Sequence, residues 1–533
     1  MLISLLSQPG RYLSGWLLMN LTTALVGAQP LTSAWQQTLG GRSYENAYAL
    51  TTGNAGEIGV AGVTYSRDGQ TTSHHGNADY WVVKLNEAGK PRWQQALGGT
   101  KDEHARAIKT TTDGGLLVAG YTYSNDGQVS GNHGGADYWV VRLDDKGDVI
   151  WQQALGGTKD DLATALTVTT DGGYLVAGYT ESTDGQITGN HGQQDGWLVK
   201  LNSAGTIVWQ RTLGGSGRET INAVTTTADG GFVVAGSTES TDGQVSGNHG
   251  GRDYWVVKLD TKGDLVWQQA LGGTKDDFAT ALTTTTDGHY VITGYTSSDD
   301  NQVSGNQGAR DYWVVKLDER GSLIWQRTLG GPQDDFATAV TATANGHLLV
   351  AGYTFSNNGQ VSNNAGRSDA WLVRLDANGD LLGQQALGGH KEERAYVLLP
   401  TADNQVLVAG FAQSSDGHLS RNNGREDGWI FKTAVPGNPT PEMAQSEATW
   451  DATLLGNPVK EGRVSVEVRG ASGQPLRLRV SNLQGQLVTE HHIAQAGDVE
   501  RHSLDVGGQP VGILLLQVIS PERAQTLKFV KAN

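Results

Sequence analysis

The sequence predicts an all-β protein: a seven-bladed β-propeller whose ring is closed by its N-terminal strand, followed by a small C-terminal β-sandwich. Three observations predict it. A 58-residue period runs through most of the chain without insertion, each period divides into four strand-like runs, and no segment carries a 3.6-residue apolar period. The composition agrees, since 74 glycines among many Val, Thr, Tyr and Trp favour short strands joined by tight turns.

Residues 1–28 read as an export signal. Arg11 sits in a short basic region, Trp16 to Val26 is mostly apolar, and Val26-Gly27-Ala28 precede Gln29, so cleavage is expected after Ala28. The stretch is shorter than the ~20 apolar residues of a membrane span, and no other segment comes closer, so no transmembrane segment is expected. With no cysteine in the chain, disulfides are excluded and stability after export rests on packing. The formal net charge of -16, from 39 basic and 55 acidic residues, repels phosphate backbones, so nucleic acid is not an expected partner. An acidic surface suits a soluble extracellular protein and attracts divalent cations.

The period is counted on two tryptophan series. Trp35, Trp93, Trp151, Trp209, Trp267 and Trp325 are 58 residues apart, with Gly383 in the seventh place; Trp81, Trp139, Trp197, Trp255, Trp313, Trp371 and Trp429 keep the same spacing. In one copy, Ala163 to Thr170 ends at the turn Asp171-Gly172-Gly173 and Tyr174 to Thr180 returns from it. After a longer loop, Gly196 to Leu201 runs to a turn at Asn202 to Gly205, and Ile207 to Leu213 leads out through Gly214-Gly215. The middle runs are apolar at consecutive positions, the pattern of strands covered on both faces. The array begins with an orphan fourth strand, Trp35 to Leu39, and ends after a third strand, Trp429 to Thr433. The two incomplete pieces make one blade, so Trp35 to Leu39 is expected to pair with Gly428 to Thr433 and remove two exposed edges. A solenoid would need caps instead.

Each unit carries a 14-residue insertion, Ser182 to Asp195 in one copy, beyond the roughly 40 to 45 residues of a four-stranded propeller repeat. Its closing aspartate recurs as Asp79, Asp137, Asp195, Asp253, Asp311, Asp369 and Asp427. The segment entering the next blade carries Glu45, Glu103, Asp161, Glu219, Asp277, Asp335 and Glu393. Both connections fall on one face, which is therefore expected to present two rings of seven carboxylates. The candidate ligand-binding residues are Glu103, Asp126, Asn132, Asp137, Asp161, Asp184, Asn190, Asp195, Glu219, Asp242, Asn248 and Asp253. Oxygen-rich loops of this kind suit calcium or a polyol, with Asp184, Asn190 and Asp195 as one ligand set. The alternative is that these side chains accept backbone N–H bonds and fix the loop.

His75, His133, His191 and His249 share one loop position and read as surface-loop histidines, not zinc ligands. Lys84, Arg142, Lys200, Lys258, Lys316, Arg374 and Lys432 recur within apolar strands and are expected to find carboxylates. Catalysis would need broken symmetry, for which Glu103-His104-Ala105-Arg106, Arg218-Glu219 and Glu392-Glu393-Arg394 are the candidates. No serine-elbow, phosphate-loop or zinc-helix motif is present, and no catalytic residue is assigned.

Residues 434–449, AVPGNPTPEMAQSEAT, form a proline-rich tether between the array at 35–433 and a strand-rich region at 450–533. There Asn457-Pro458-Val459, Ser481-Asn482-Leu483-Gln484-Gly485-Gln486-Leu487-Val488, Leu504-Asp505-Val506, Pro510-Val511-Gly512-Ile513-Leu514-Leu515 and Leu527-Lys528-Phe529-Val530-Lys531 follow one another in order. This tail resembles the C-terminal sorting domain of the type IX secretion system over residues 457–533. It departs from that pattern at Ser481-Asn482, where aspartate is frequent, and at Leu514, where tyrosine is common. The resemblance implies partnership with the secretion machinery, passage across the outer membrane, and release or attachment at the cell surface. The repeat units resemble surface repeat proteins to which no activity attaches. The expected function is a secreted or surface-attached binding or adhesion module for an extracellular glycan or protein. A polysaccharide-processing enzyme and a structural surface scaffold are the alternatives.

Overall fold

The computed structural model describes residues 34–436 and 451–532, apart from 54–55, 70–73, 344, 402, 404, 420, 460–461, 470, 472, 474, 483–485 and 521–523. The export segment 1–28 and most of the tether lie outside the described residues. The described chain is all strand and turn, and it divides into two compact units, Met1–Gly437 and Asn438–Asn533.

Among the described residues the first unit holds seven antiparallel four-stranded sheets, I (45–97), II (103–155), III (161–213), IV (219–271), V (277–329), VI (335–387) and VII (393–434 with 35–39), and is a β-propeller in type. Sheet III shows how each is made: Asp161–Val168, Tyr174–Thr180, Asp195–Leu201 and Ile207–Leu213 pair as successive neighbours. The sequence-derived strands agree with these to within two residues. The two middle strands are buried almost throughout, because sheets pack on both of their faces, whereas the outer strand is exposed at its first residues. Asp171 closes the first turn by accepting from Gly173 N at 3.1 Å, and Gly172 takes φ +77°, which favours glycine there.

Sheets I to VI use four consecutive strands, and sheet VII does not. It combines Glu393–Pro400, Gln405–Ala412 and Asp427–Ala434 with Trp35–Leu39 from the start of the array. The register runs from Trp35 opposite Lys432 to Leu39 opposite Gly428, as the orphan-strand count requires.

Packing between sheets explains the second tryptophan series. All seven members are at most 1% exposed. Trp197 donates to Gln210 Oε1 at 2.7 Å, and its ring lies 4.5 Å from Tyr138 of sheet II, whose hydroxyl donates to the Trp197 carbonyl at 2.9 Å. Four of the seven junctions lock such a Tyr–Trp pair and its polar atoms together, with Gly196, Ala370 and Gly428 standing in the tyrosine position at the others; truncating such a tryptophan costs about 3–5 kcal/mol. The first series is half-buried, with Trp151 lying over Gly205. Six of the seven recurring strand lysines and arginines reach carboxylates, as Lys200 Nζ does by donating to Asp171 Oδ2 at 2.9 Å and to the Leu201 carbonyl at 3.1 Å; Arg374, with Asn345 in place of the turn aspartate, meets His347 Nδ1 at 2.8 Å instead.

The second unit has a three-stranded sheet of Asp451–Leu454, Arg463–Arg469 and Val499–Asp505, and a four-stranded sheet of Leu487–Ile493, Leu476–Asn482, Gly512–Ile519 and Ala524–Lys531. Val464, Val466 and Leu504 of one sheet share a single core with Leu478, Leu516 and Phe529 of the other. The strand at Asp451–Leu454 had no period in the sequence to reveal it.

Candidate functional site

The two carboxylate series meet at the sheet junctions, and they are not presented to solvent. All fourteen acids are 0% exposed. This corrects the expectation of two open rings, and its cause is local: each acid accepts the N–H groups of a turn that the chain cannot otherwise satisfy. Glu103 Oε2 accepts from Gly99 N at 2.8 Å and its Oε1 from Thr122 Oγ1 at 2.7 Å; Glu219 does the same with Gly215 N and Thr238 Oγ1. Asp161 Oδ2 accepts from Gly157 N at 2.7 Å and Ser182 Oγ at 3.0 Å. Asp137, Asp195 and Asp253 accept from His133 N, His191 N and His249 N, each at 2.9 Å. Burial raises the pKa of Asp137, Asp195 and Asp253 and pushes that of Asp161 up to about 6.

The remaining candidates tie the same loop down. Asp126, Asp184 and Asp242 are exposed, and each accepts the backbone N–H of the residue after a Gly-Gly turn: Thr100 and Thr158 at 2.8 Å, Ser216 at 2.7 Å. These bonds hold their carboxyls below the usual aspartate range. Asn132 donates to the Thr122 carbonyl, Asn190 to that of Ser182 and Asn248 to that of Thr238. Asp184, Asn190 and Asp195 thus each engage a different part of the loop backbone. Among the described residues no group of three or more His, Asp or Glu side chains is placed to hold a metal ion. The loop histidines pair their Nδ1 with the buried aspartate, as His191 does with Asp195 Oδ2 at 2.7 Å. Glu392 lies just before the strand Glu393–Pro400, and the two acids have different partners: Glu393 is buried on Gly389 N, while Glu392 pairs with Arg394 at 3.2 Å. They do not form a facing acid pair.

What varies between units is concentrated elsewhere, at the inner, loop-side ends of the sheets. In four of the first strands the bulged residue bridges to the next sheet by a short side chain: Asn222 Nδ2 donates to the Ala279 carbonyl at 2.8 Å, Thr280 to Ala337 and Thr338 to Ala395 at 2.9 Å, and Thr164 to Ile221. The other three copies of that position are Tyr396, Tyr48 and Arg106, which stack instead. Tyr48 and Tyr396 rings lie 5.1 Å apart, and the Arg106 guanidinium sits 4.3 Å above Tyr48.

From this stack an arc of rings extends both ways. On one side Arg394 lies 4.5 Å over Tyr353, which stacks on Phe336 at 5.1 Å; Phe336 meets Tyr295 at 4.9 Å, and Tyr295 stacks on Phe278 at 5.0 Å. On the other side Arg106 approaches Tyr121, which stacks on His104 at 5.1 Å; Tyr65 meets His104 at 6.1 Å and Tyr44 at 6.2 Å. Burial and the nearby Arg106 lower the His104 pKa to about 4, so the ring is neutral at neutral pH. The arc spans sheets V, VI, VII, I and II. Sheets III and IV present Leu162, Tyr179 and Glu181, and Thr220, Ser237 and Glu239, at the same positions. The symmetry-breaking segments at Glu103–Arg106 and Glu392–Arg394 touch this arc; the aromatic residues were not singled out from sequence. Comparing the copies column by column for what differs would have found them.

No family model matches the chain. It is 29% identical over 203 residues to the regulatory protein FlaEY of Caulobacter vibrioides, covering 36% of this chain and spanning about a fifth of that protein. Solved structures with likeness include the Neurospora crassa Pan2 WD40 domain, at 13% identity and TM-score 0.43 over 76% of this chain and 97% of that one. A fungal alcohol oxidase of the AA5 family in complex with copper shares 13% identity at TM-score 0.40 over 95% of this chain and 100% of that one. Likeness at this level carries no functional meaning.

Proposed function

We propose that residues 35–433 form a closed seven-bladed propeller that acts as a secreted or cell-surface binding module, its loop face recognising an extracellular glycan or protein. Closure is supported by the pairing of Trp35–Leu39 within sheet VII and by the bridge between Tyr44 and Glu426, which repeats the bridge between Ala78 and Asp102 at the next junction. Export through the type IX machinery, with 450–533 as the sorting domain, is supported by the ordered motifs of the tail and by the leader-like first 28 residues.

One observation carries the binding reading. Loop bonds, buried acids and tryptophans repeat in nearly every unit, so they belong to the scaffold, while the inner loop-side positions break the symmetry with half-buried rings and charges. A scaffold has no need of that asymmetry; a single ligand does. The test is an array of extracellular glycans and matrix proteins probed with the full chain. Binding that Phe336→Ser abolishes and Ile150→Ser, on the outer strand, leaves intact supports the reading. Binding unaffected by Phe336→Ser overturns it, and silence across the array favours a structural scaffold.

A further inference from the structure

We propose that the ligand is a neutral polysaccharide strand lying along the arc of sheets V, VI, VII, I and II; this rests on the loop-face reading above. The charge of the arc decides the class. Two of its arginines are paired with acids, Arg310 at 3.8 Å from Asp334 and Arg394 at 3.2 Å from Glu392, whereas Arg106 lies against the Tyr48 and Tyr121 rings with no acid partner among the described residues. A paired guanidinium and carboxylate offers donor and acceptor side by side, which matches two neighbouring sugar hydroxyls and not a carboxylate or sulfate. The protein's charge of -16 also repels acidic polymers.

The rings supply the second half of the chemistry. A pyranose has an apolar C–H face that packs on an aromatic ring, and Tyr65, 38% exposed, is the most open ring of the arc. Stacked rings in two halves, Phe278–Tyr295 and Phe336–Tyr353 on one side and His104–Tyr121 on the other, suit a ligand long enough to reach both. Sheets III and IV, with Leu162 and Thr220 in place of the inner rings, fall outside the path.

Native affinity electrophoresis of the full chain through gels containing xylan, mannan or alginate tests this. Retardation is expected in a neutral polymer, persisting in about 1 M salt, where exposed charges are screened, and weakened about tenfold by Tyr353→Ala and by Tyr65→Ala. Tryptophan fluorescence reports whether each variant is folded, and Arg394→Lys, which keeps charge but loses the fork, is expected to weaken retardation too. Retardation by alginate alone, or by none of the polymers, overturns the proposal. Neutral-polymer binding lost in Tyr179→Ala but kept in Tyr353→Ala overturns the path while leaving the loop-face reading standing. Binding lost only in Ile150→Ser sinks both.

Discussion

Asp311 Oδ1 and Asp335 Oδ2, from neighbouring sheets V and VI, both lie 2.5 Å from the point a Cβ on Gly330 would occupy. The arrangement recurs at every junction, with Gly40, Gly98, Gly156, Gly214, Gly272 and Gly388 in the same role. The first glycine of each Gly-Gly pair is thus fixed by two carboxylates closing on it. Gly330→Ala should lower stability by about 2–4 kcal/mol, since neither acid can retreat in a packed junction. Gly346→Ala, where nothing lies within 4 Å and only φ +80° resists, should cost about 1 kcal/mol. Urea denaturation of both variants checks the order.

The same pairs make stability depend on pH. Burial pushes Asp311 up to about 7 and Asp161, Asp277 and Asp369 up to about 6, from an ordinary 3.8. Their folded pKa values are raised, so the folded state holds protons that the unfolded state has released. Stability is therefore greatest near the unfolded value and is lost as pH rises from about 4 to 7, each tenfold difference in proton affinity between the two states being worth about 1.4 kcal/mol. Exposed Asp171, Asp229 and Asp287, lowered to about 2 with Lys200, Lys258 and Lys316 among the causes, work oppositely below pH 4. The expected result is a melting temperature higher at pH 5 than at pH 8, with a shallower slope in Asp311→Asn; a flat or rising profile would contradict it.

Much of this was legible in the sequence, for definite reasons. A strict 58-residue period exposes its own defects, so the orphan Trp35–Leu39 could be assigned to Lys432 and its neighbours from counting alone. The recurrence of Glu103 and Asp137 was equally visible, but not its meaning. An acid that binds a ligand and one that binds a turn look alike in one dimension, and only burial separates them. The arc was hidden for the opposite reason: Phe336, Tyr353 and Tyr396 occupy positions where the units disagree, and a reading led by the repeat passes over them.

Lys200 is 4% exposed, and Asp171 holds its ammonium at the end of the apolar strand. Asp171→Ala is expected to destabilise the chain by about 2–3 kcal/mol by leaving a buried charge, more than Lys200→Met, which removes the charge and keeps the stem. Equal losses in thermal denaturation would show that the pair contributes as packing alone.

Under the proposed export route, deleting residues 457–533 is expected to hold the protein in the periplasm of its producing cell, because the stretches that resemble sorting motifs lie there. Cell fractionation with an antibody to the repeat unit reads this directly. Undiminished surface display without the tail would remove the sorting assignment.

The seam in sheet VII has a mechanical consequence. Trp35 opposes Lys432, so the incoming end of the array and its outgoing end lie side by side at the same end of one antiparallel pair. A pull between them does not shear the five paired positions together. It peels them singly, starting with the Ala34 N–H to Lys432 carbonyl bond of 2.9 Å. A molecule tethered through its C-terminal side and tugged from its N-terminal side would yield there first, as a zip does, while the six sheets built from consecutive strands stay whole.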